Sequence, residues 1–145
     1  MKRSCLLFLV IIMFLLHLPG CKALGEENGN GDGEINVVGT WTFTNVLKAD
    51  ESQSHNRTFI LEGDKNSGTV SESISPTEGT YTVTGTTFRM DLTNRDASYS
   101  WTYEYDGTIT DNKNMSGTSK TTTYPPDGGD VIAEYEYNFT AERED

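Results

Sequence analysis

A chain of 145 residues with 22 acidic and 11 basic side chains carries a formal charge of −11. Such a surface repels phosphate backbones and anionic headgroups, which excludes nucleic acid as a partner. Abundant threonine and glycine, with no stretch of 3.6-residue apolar period, give an all-β composition and exclude a helical bundle.

Lys2 and Arg3 open the chain with a basic region, residues 6–16 form an unbroken apolar run, and Leu18-Pro19-Gly20 precede Cys21. An apolar run of this length suits a secretory signal and falls short of the roughly 20 residues that span a bilayer. The string LPGC at 18–21 resembles the bacterial lipobox, whose cysteine is lipidated and becomes the first residue of the mature chain. The resemblance implies a lipoprotein signal peptide over 1–20, palmitate-type acylation of Cys21, and a cell-envelope location with the acyl chains in the membrane. Each buried CH₂ of such a chain contributes about 0.8 kcal/mol. The competing reading is an ordinary secretory signal with a chance cysteine. Lys22 follows the cysteine where an aspartate would resemble an inner-membrane retention signal, so an outer-membrane location is expected. Cleavage before Cys21 also removes Cys5 and His17, leaving no free thiol and His55 as the sole histidine, which excludes disulfides and cysteine nucleophiles. Without Lys2 and Arg3, nine basic side chains face 22 acidic ones, a formal charge of −13.

Residues 21–36, CKALGEENGNGDGEIN, read as a flexible acidic, glycine-rich tether. Within it Asn28, Asn30, Asp32, Gly33 and Ile35 fall at spacings reminiscent of an EF-hand-type calcium loop. Asn28 stands where Asp is usual, Gly39 where the twelfth-position Glu is required, and no helix flanks the run, so a solvated spacer is the expected reading.

The remaining residues, 37–145, suffice for one domain with one core. The first strand is expected over 37–47, with Trp41 and Phe43 on one face and Thr40, Thr42 and Thr44 on the other. A polar segment, 48–56, links it to a strand over 57–62, which turns through 63–66 into a weak strand near 68–73. Ser75-Pro76-Thr77-Glu78 is a turn, because proline interrupts a central ladder. Strands follow over 79–84 (Tyr81 and Val83 on one face), around Phe88, Met90 and Leu92, over the run carrying Tyr99, Trp101, Tyr103 and Tyr105, and over 115–123. After the loop 125–130, a last strand sets Ala133, Tyr135, Tyr137, Phe139 and Ala141 against Glu134 and Glu136. Eight strands without room for crossover helices form an antiparallel meander, and eight strands with one apolar face can close into an up-and-down β-barrel. A two-sheet sandwich is the alternative, though only two connections have the length its crossovers need. Gly-Thr recurs at Gly39, Gly68, Gly79, Gly85, Gly107 and Gly117, as expected of the bends and bulges of a small barrel.

Three pieces, GTWTF at 39–43, GTITDNKNMSGT at 107–118 and FTAER at 139–143, together resemble the bacterial lipocalin-like lipoproteins, small eight-stranded barrels with a Gly-x-Trp opening. The resemblance covers about 105 residues. In lipocalins the opening Trp is covered by an Arg from the end of the last strand, which implies a structural role for Arg143 beside Trp41. Strand order agrees: with an even number of up-and-down strands, the end of the last lies beside the start of the first. Arg143 also shares parity with Tyr135, Tyr137 and Phe139 and so points inward. A guanidinium over an indole contributes about 0.5–2 kcal/mol.

The inward set so defined supplies the candidate ligand-binding residues Trp41, Phe43, Tyr81, Phe88, Met90, Trp101, Tyr103, Tyr135 and Tyr137, with Phe59, Tyr105, Met115 and Phe139 beside them. They suit either the lining of a cavity for a small apolar ligand or a barrel filled by its own side chains. The convergence of tyrosine hydroxyls, each needing a partner when buried, favours a site. With no lysine among these residues and Arg143 engaged at the floor, an uncharged or weakly cationic ligand is expected. The carboxylate pairs Glu104 with Asp106 and Glu134 with Glu136 fall on the threonine face and read as solvated. His55 reads as a surface histidine. No nucleophile, metal cluster or phosphate loop appears, so no catalytic residue, metal or cofactor is assigned and the chain is not read as an enzyme. A binding module and a non-enzymatic structural or interaction module remain.

Overall fold

The computed structural model describes residues 34–145. The signal segment, Cys21, the tether up to residue 33, and with it Asn28, Asn30, Asp32 and Gly33 of the calcium-like run, lie outside the described residues. The described residues form β1 (Gly39–Leu47), β2 (Ser54–Gly63), β3 (Ser67–Glu72), β4 (Glu78–Thr84), β5 (Thr87–Arg95), β6 (Ser100–Asp111), β7 (Asn114–Tyr124) and β8 (Ala133–Arg143). Each strand pairs antiparallel with the next, and β8 returns to β1, giving an all-β, closed eight-stranded up-and-down barrel. The β1–β8 seam decides between barrel and sandwich. It runs in unbroken register from Trp41 against Arg143 to Leu47 against Tyr137, so neither terminal strand is left as an exposed edge.

Two strands are longer than their patterns suggest. The connection after β1 turns tightly, with Gln53 N donating to Asp50 O (2.9 Å) and Leu47 N to Gln53 O (3.0 Å), so β2 begins at Ser54 and takes in His55. β6 continues to Asp111 through a register shift after Ile109, and Ile109, of the same parity as Tyr105, lies in the core.

The centre of the barrel is solid. The Phe43 ring meets Phe59 edge-on at 5.2 Å, Tyr105 edge-on at 5.3 Å and Phe139 at 5.2 Å, and all four are buried. Each such pair adds about 0.5–1.5 kcal/mol beyond the area it buries. Space for Phe139 comes from Gly107, opposite Gly117 in β6 and β7: a Cβ on Gly107 would stand 2.8 Å from the Phe139 ring.

Residues 34–38 seal the floor. Val37 is buried, and its carbonyl accepts a 2.7 Å hydrogen bond from the Trp41 indole Nε1. Arg143 is the register partner of Trp41, but its Nη1 donates to the Asn36 carbonyl at 3.0 Å. Gly39, at φ +139°, makes room for this guanidinium: a Cβ there would lie 3.0 Å from Arg143 Nε. The cation–π contacts among the described residues involve Arg57 and not Arg143. Arg143 therefore ties the incoming chain to the floor through a carbonyl.

Candidate functional site

The candidate ligand-binding residues divide into two groups. Trp41, Phe43, Tyr81, Phe88 and Met90 are at most 1 % exposed and belong to the packed core. Trp101, Tyr103, Tyr135 and Tyr137 gather at the opposite end from the floor, at the open mouth. There they line a cavity of about 460 Å³, together with His55, Arg57, Glu72, Ser75, Asn94, Thr121 and Thr123. That volume lies within the range of small-molecule sites.

A polar deck separates this cup from the apolar centre. Arg57 alternates with Phe59 and Leu61 and so points inward, while Glu72 follows Val70 by two on β3 and does the same. Arg57 Nε and Nη2 donate to the two Glu72 carboxylate oxygens at 2.8 and 2.7 Å, a bidentate pair with side chains only 10 % and 7 % exposed. The Thr77 hydroxyl donates to Glu72 at 3.0 Å, and the Ser75 hydroxyl also reaches Glu72. Burial alone would raise the Glu72 carboxyl, but the Arg57 donors and the two hydroxyls hold it down at about 2. Burial likewise works against the Arg57 charge, and the Glu72 carboxylate outweighs it, so its pKa stands above the ordinary guanidinium value. The Arg57 guanidinium also lies 3.9 Å from the Tyr103 ring centroid and 5.1 Å from that of Phe59. The expectation that the interior holds no cation apart from Arg143 is thus corrected: Arg57 is inside, and Glu72 neutralises it.

Beside this pair, Asn45 (1 % exposed) accepts from the Ser119 hydroxyl at 3.0 Å, and its Nδ2 has no hydrogen-bond partner among the described residues. Tyr105, below the deck, is pushed up to about 12, mainly by burial. Burial also raises the Tyr103 and Tyr137 phenols, so these two hydroxyls stay protonated well above neutral pH. His55 stands edge-on to Tyr137 at 5.2 Å, its pKa lowered first by burial and then by Arg57, which leaves a neutral imidazole at pH 7. It is exposed, as a surface histidine is, but its position on β2 turns it toward the mouth.

Sequence reasoning missed Arg57, Glu72, Asn45 and the β7 threonines. Parity with Phe59, Val70 and Phe43 would have found the first three; their polarity argued for the outer face and masked it. The carboxylate pairs do lie outside: Glu134 is bridged by Lys120 at 2.8 Å and Glu136 by Lys48 at 3.1 Å, all solvent-accessible. Among the described residues no group of three or more His, Cys, Asp or Glu side chains is placed to hold a metal ion. The cup can therefore hold a ligand by stacking, apolar contact and uncharged hydroxyls. Comparison of the chain with protein-family models, curated proteins and solved structures gave no match. The closed eight-stranded antiparallel barrel is compatible with a lipocalin-like fold.

Proposed function

We propose that this chain is a lipid-anchored cell-envelope lipoprotein of lipocalin-like type, held in the outer membrane through Cys21, whose barrel mouth binds a small, largely apolar ligand without catalysing a reaction. The LPGC string and the basic, apolar leader support the anchor, and the GTWTF opening together with the closed barrel supports the lipocalin-like assignment. The observation that carries the binding role is the open aromatic cup of about 460 Å³ above a charge-balanced Arg57–Glu72 pair. An anionic ligand would have to displace Glu72 from two charge-assisted bonds, and the acidic surface opposes its approach. The ligand is therefore uncharged or weakly cationic. Gentle extraction of the protein from its native membranes, followed by mass spectrometry of co-purifying small molecules, tests this directly. A bound apolar compound, competed off by added ligand with a change in tryptophan emission, is the expected result. The anchor has its own test: Cys21→Ser abolishes fatty-acid labelling and moves the protein to the soluble fraction.

A second reading, an interaction module with a filled barrel, is favoured by the solid aromatic centre and by Ile74, Tyr99, Val131 and Ile132, which stand exposed on three of the loops at the mouth. It replaces the first if nothing co-purifies and a panel of lipids and aromatics leaves the emission unchanged.

A further inference from the structure

The inward positions of β7 nearest the mouth are small, and the strands on both sides of it are aromatic at the same level. Tyr103 on β6 is in register with Thr121 on β7, which is in register with Tyr135 on β8; one step deeper the row is Tyr105, Ser119, Tyr137. Thr123, one step nearer the rim, continues the small strip beside Trp101. Neighbouring strands lie about 4.8 Å apart, so the flanking backbones of each row stand roughly 10 Å from one another. A flat ring in van der Waals contact on both faces, about 3.5 Å each, needs flanking rings about 7 Å apart. A slot of that width requires the β6 and β8 rings to converge by the difference as they lean inward.

We infer that the cup is a slot for a planar, uncharged ring compound, which stands against the Thr121 strip between the β6 and β8 aromatics. This rests on the reading of the mouth as a ligand cup and narrows its chemistry. A flexible aliphatic chain gains little from two parallel walls, whereas a ring gains an offset-stacked face on either side. Charge is disfavoured in both signs, because Arg57 and Glu72 already satisfy each other and an added charge would stand beside a neutral pair without a counterion. The hydroxyls of Thr121, Thr123 and Ser75 and the Asn94 amide, all lining the cup, supply uncharged partners for a ring carbonyl or hydroxyl.

The test uses the full chain and four probes: coumarin, 1-nonanol with the same number of carbons, coumarin-3-carboxylate, and N-methylquinolinium as a flat cation. Coumarin should bind about tenfold more tightly than each of the others by calorimetric titration. Thr121→Trp, which fills the slot, should weaken coumarin at least about tenfold. Tyr135→Ala removes one wall at a half-exposed position and should weaken coumarin several-fold while the protein keeps its near-ultraviolet dichroism, which guards against a Thr121→Trp variant that fails to fold. If 1-nonanol equals coumarin and Thr121→Trp blocks both, the cup stands and the planar slot falls. Tightest binding of either charged probe overturns the neutrality, and coumarin binding untouched by both variants overturns the location. If none of the four binds, the slot and the cup fall together.

Discussion

The floor and the mouth of this barrel are built from the same strands with the same alternation, yet they end as opposites. Toward the floor, inward side chains interlock around Phe43, and residues 34–38 close the end with Val37 beneath the Trp41 indole. Toward the mouth, the inward residues of the same strands become Arg57, Glu72, Trp101 and Tyr135, and no segment of the described chain fills the space between them. The change occurs across one layer. Below it, inward side chains interlock; above it, they line a surface that water can reach.

Substitutions on the two sides should therefore separate. Phe43→Ala, which removes the hub of the packed centre, is expected to cost about 3–5 kcal/mol, read as a lower urea midpoint at unchanged slope. Glu72→Ala strands the Arg57 charge within the deck and should cost about 3 kcal/mol, the low end for a broken buried pair because the cup admits water. The pair also predicts a pH window. Glu72 ionises at about 2 in the fold and at the ordinary 4.5 when unfolded. Its contribution is complete above 4.5 and is lost as pH falls from there toward about 2. Across that interval the melting temperature of Glu72→Gln should fall less steeply than that of the parent, and parallel curves would remove the pair from the account. Arg143→Ala, which loses the bond to the Asn36 carbonyl, is expected to cost about 1 kcal/mol. A loss of several would show that the guanidinium does more at the floor than tie down the incoming chain. Trp101→Ala should change stability least, by under about 1 kcal/mol, because its ring faces the open cup. A loss as large as that of Phe43→Ala would erase the distinction between the two ends.

The fold was legible because two signals agreed along the chain: a period of two in each strand, and turns too short for helices. Phe88, Met90 and Leu92, or Tyr135, Tyr137 and Phe139, define a face without help from any neighbour. Depth was not legible. Trp101 and Tyr105 share a strand and a parity, yet one is half-buried in the cup and the other 2 % exposed, because barrel closure and strand stagger set the level at which each sits. Parity names the wall a residue faces and is silent on how far down it lies. The polar deck failed to register for a different reason. Arg57, Glu72 and Asn45 are residues that belong outside by transfer energy. The pairing of Arg57 with Glu72, backed by the Ser75 and Thr77 hydroxyls, makes the first two tolerable inside, and the Ser119 hydroxyl satisfies the Asn45 oxygen. That pairing joins β2 to β3 at their mouth ends and involves no periodicity at all.

The chain enters the barrel at the floor and passes directly into β1, which is flanked on one side by β2 and on the other by β8. A pull on residues 34–38 away from the barrel reaches β1 at its floor end. To yield, β1 would have to slide past both neighbours at once, so the ladder bonds on its two sides share the load instead of opening one after another like a zipper. The Trp41–Val37 and Arg143–Asn36 bonds take the first strain, ahead of the sheet. The mouth lies at the far end of that line of force, where its geometry is insulated from tension applied at the floor.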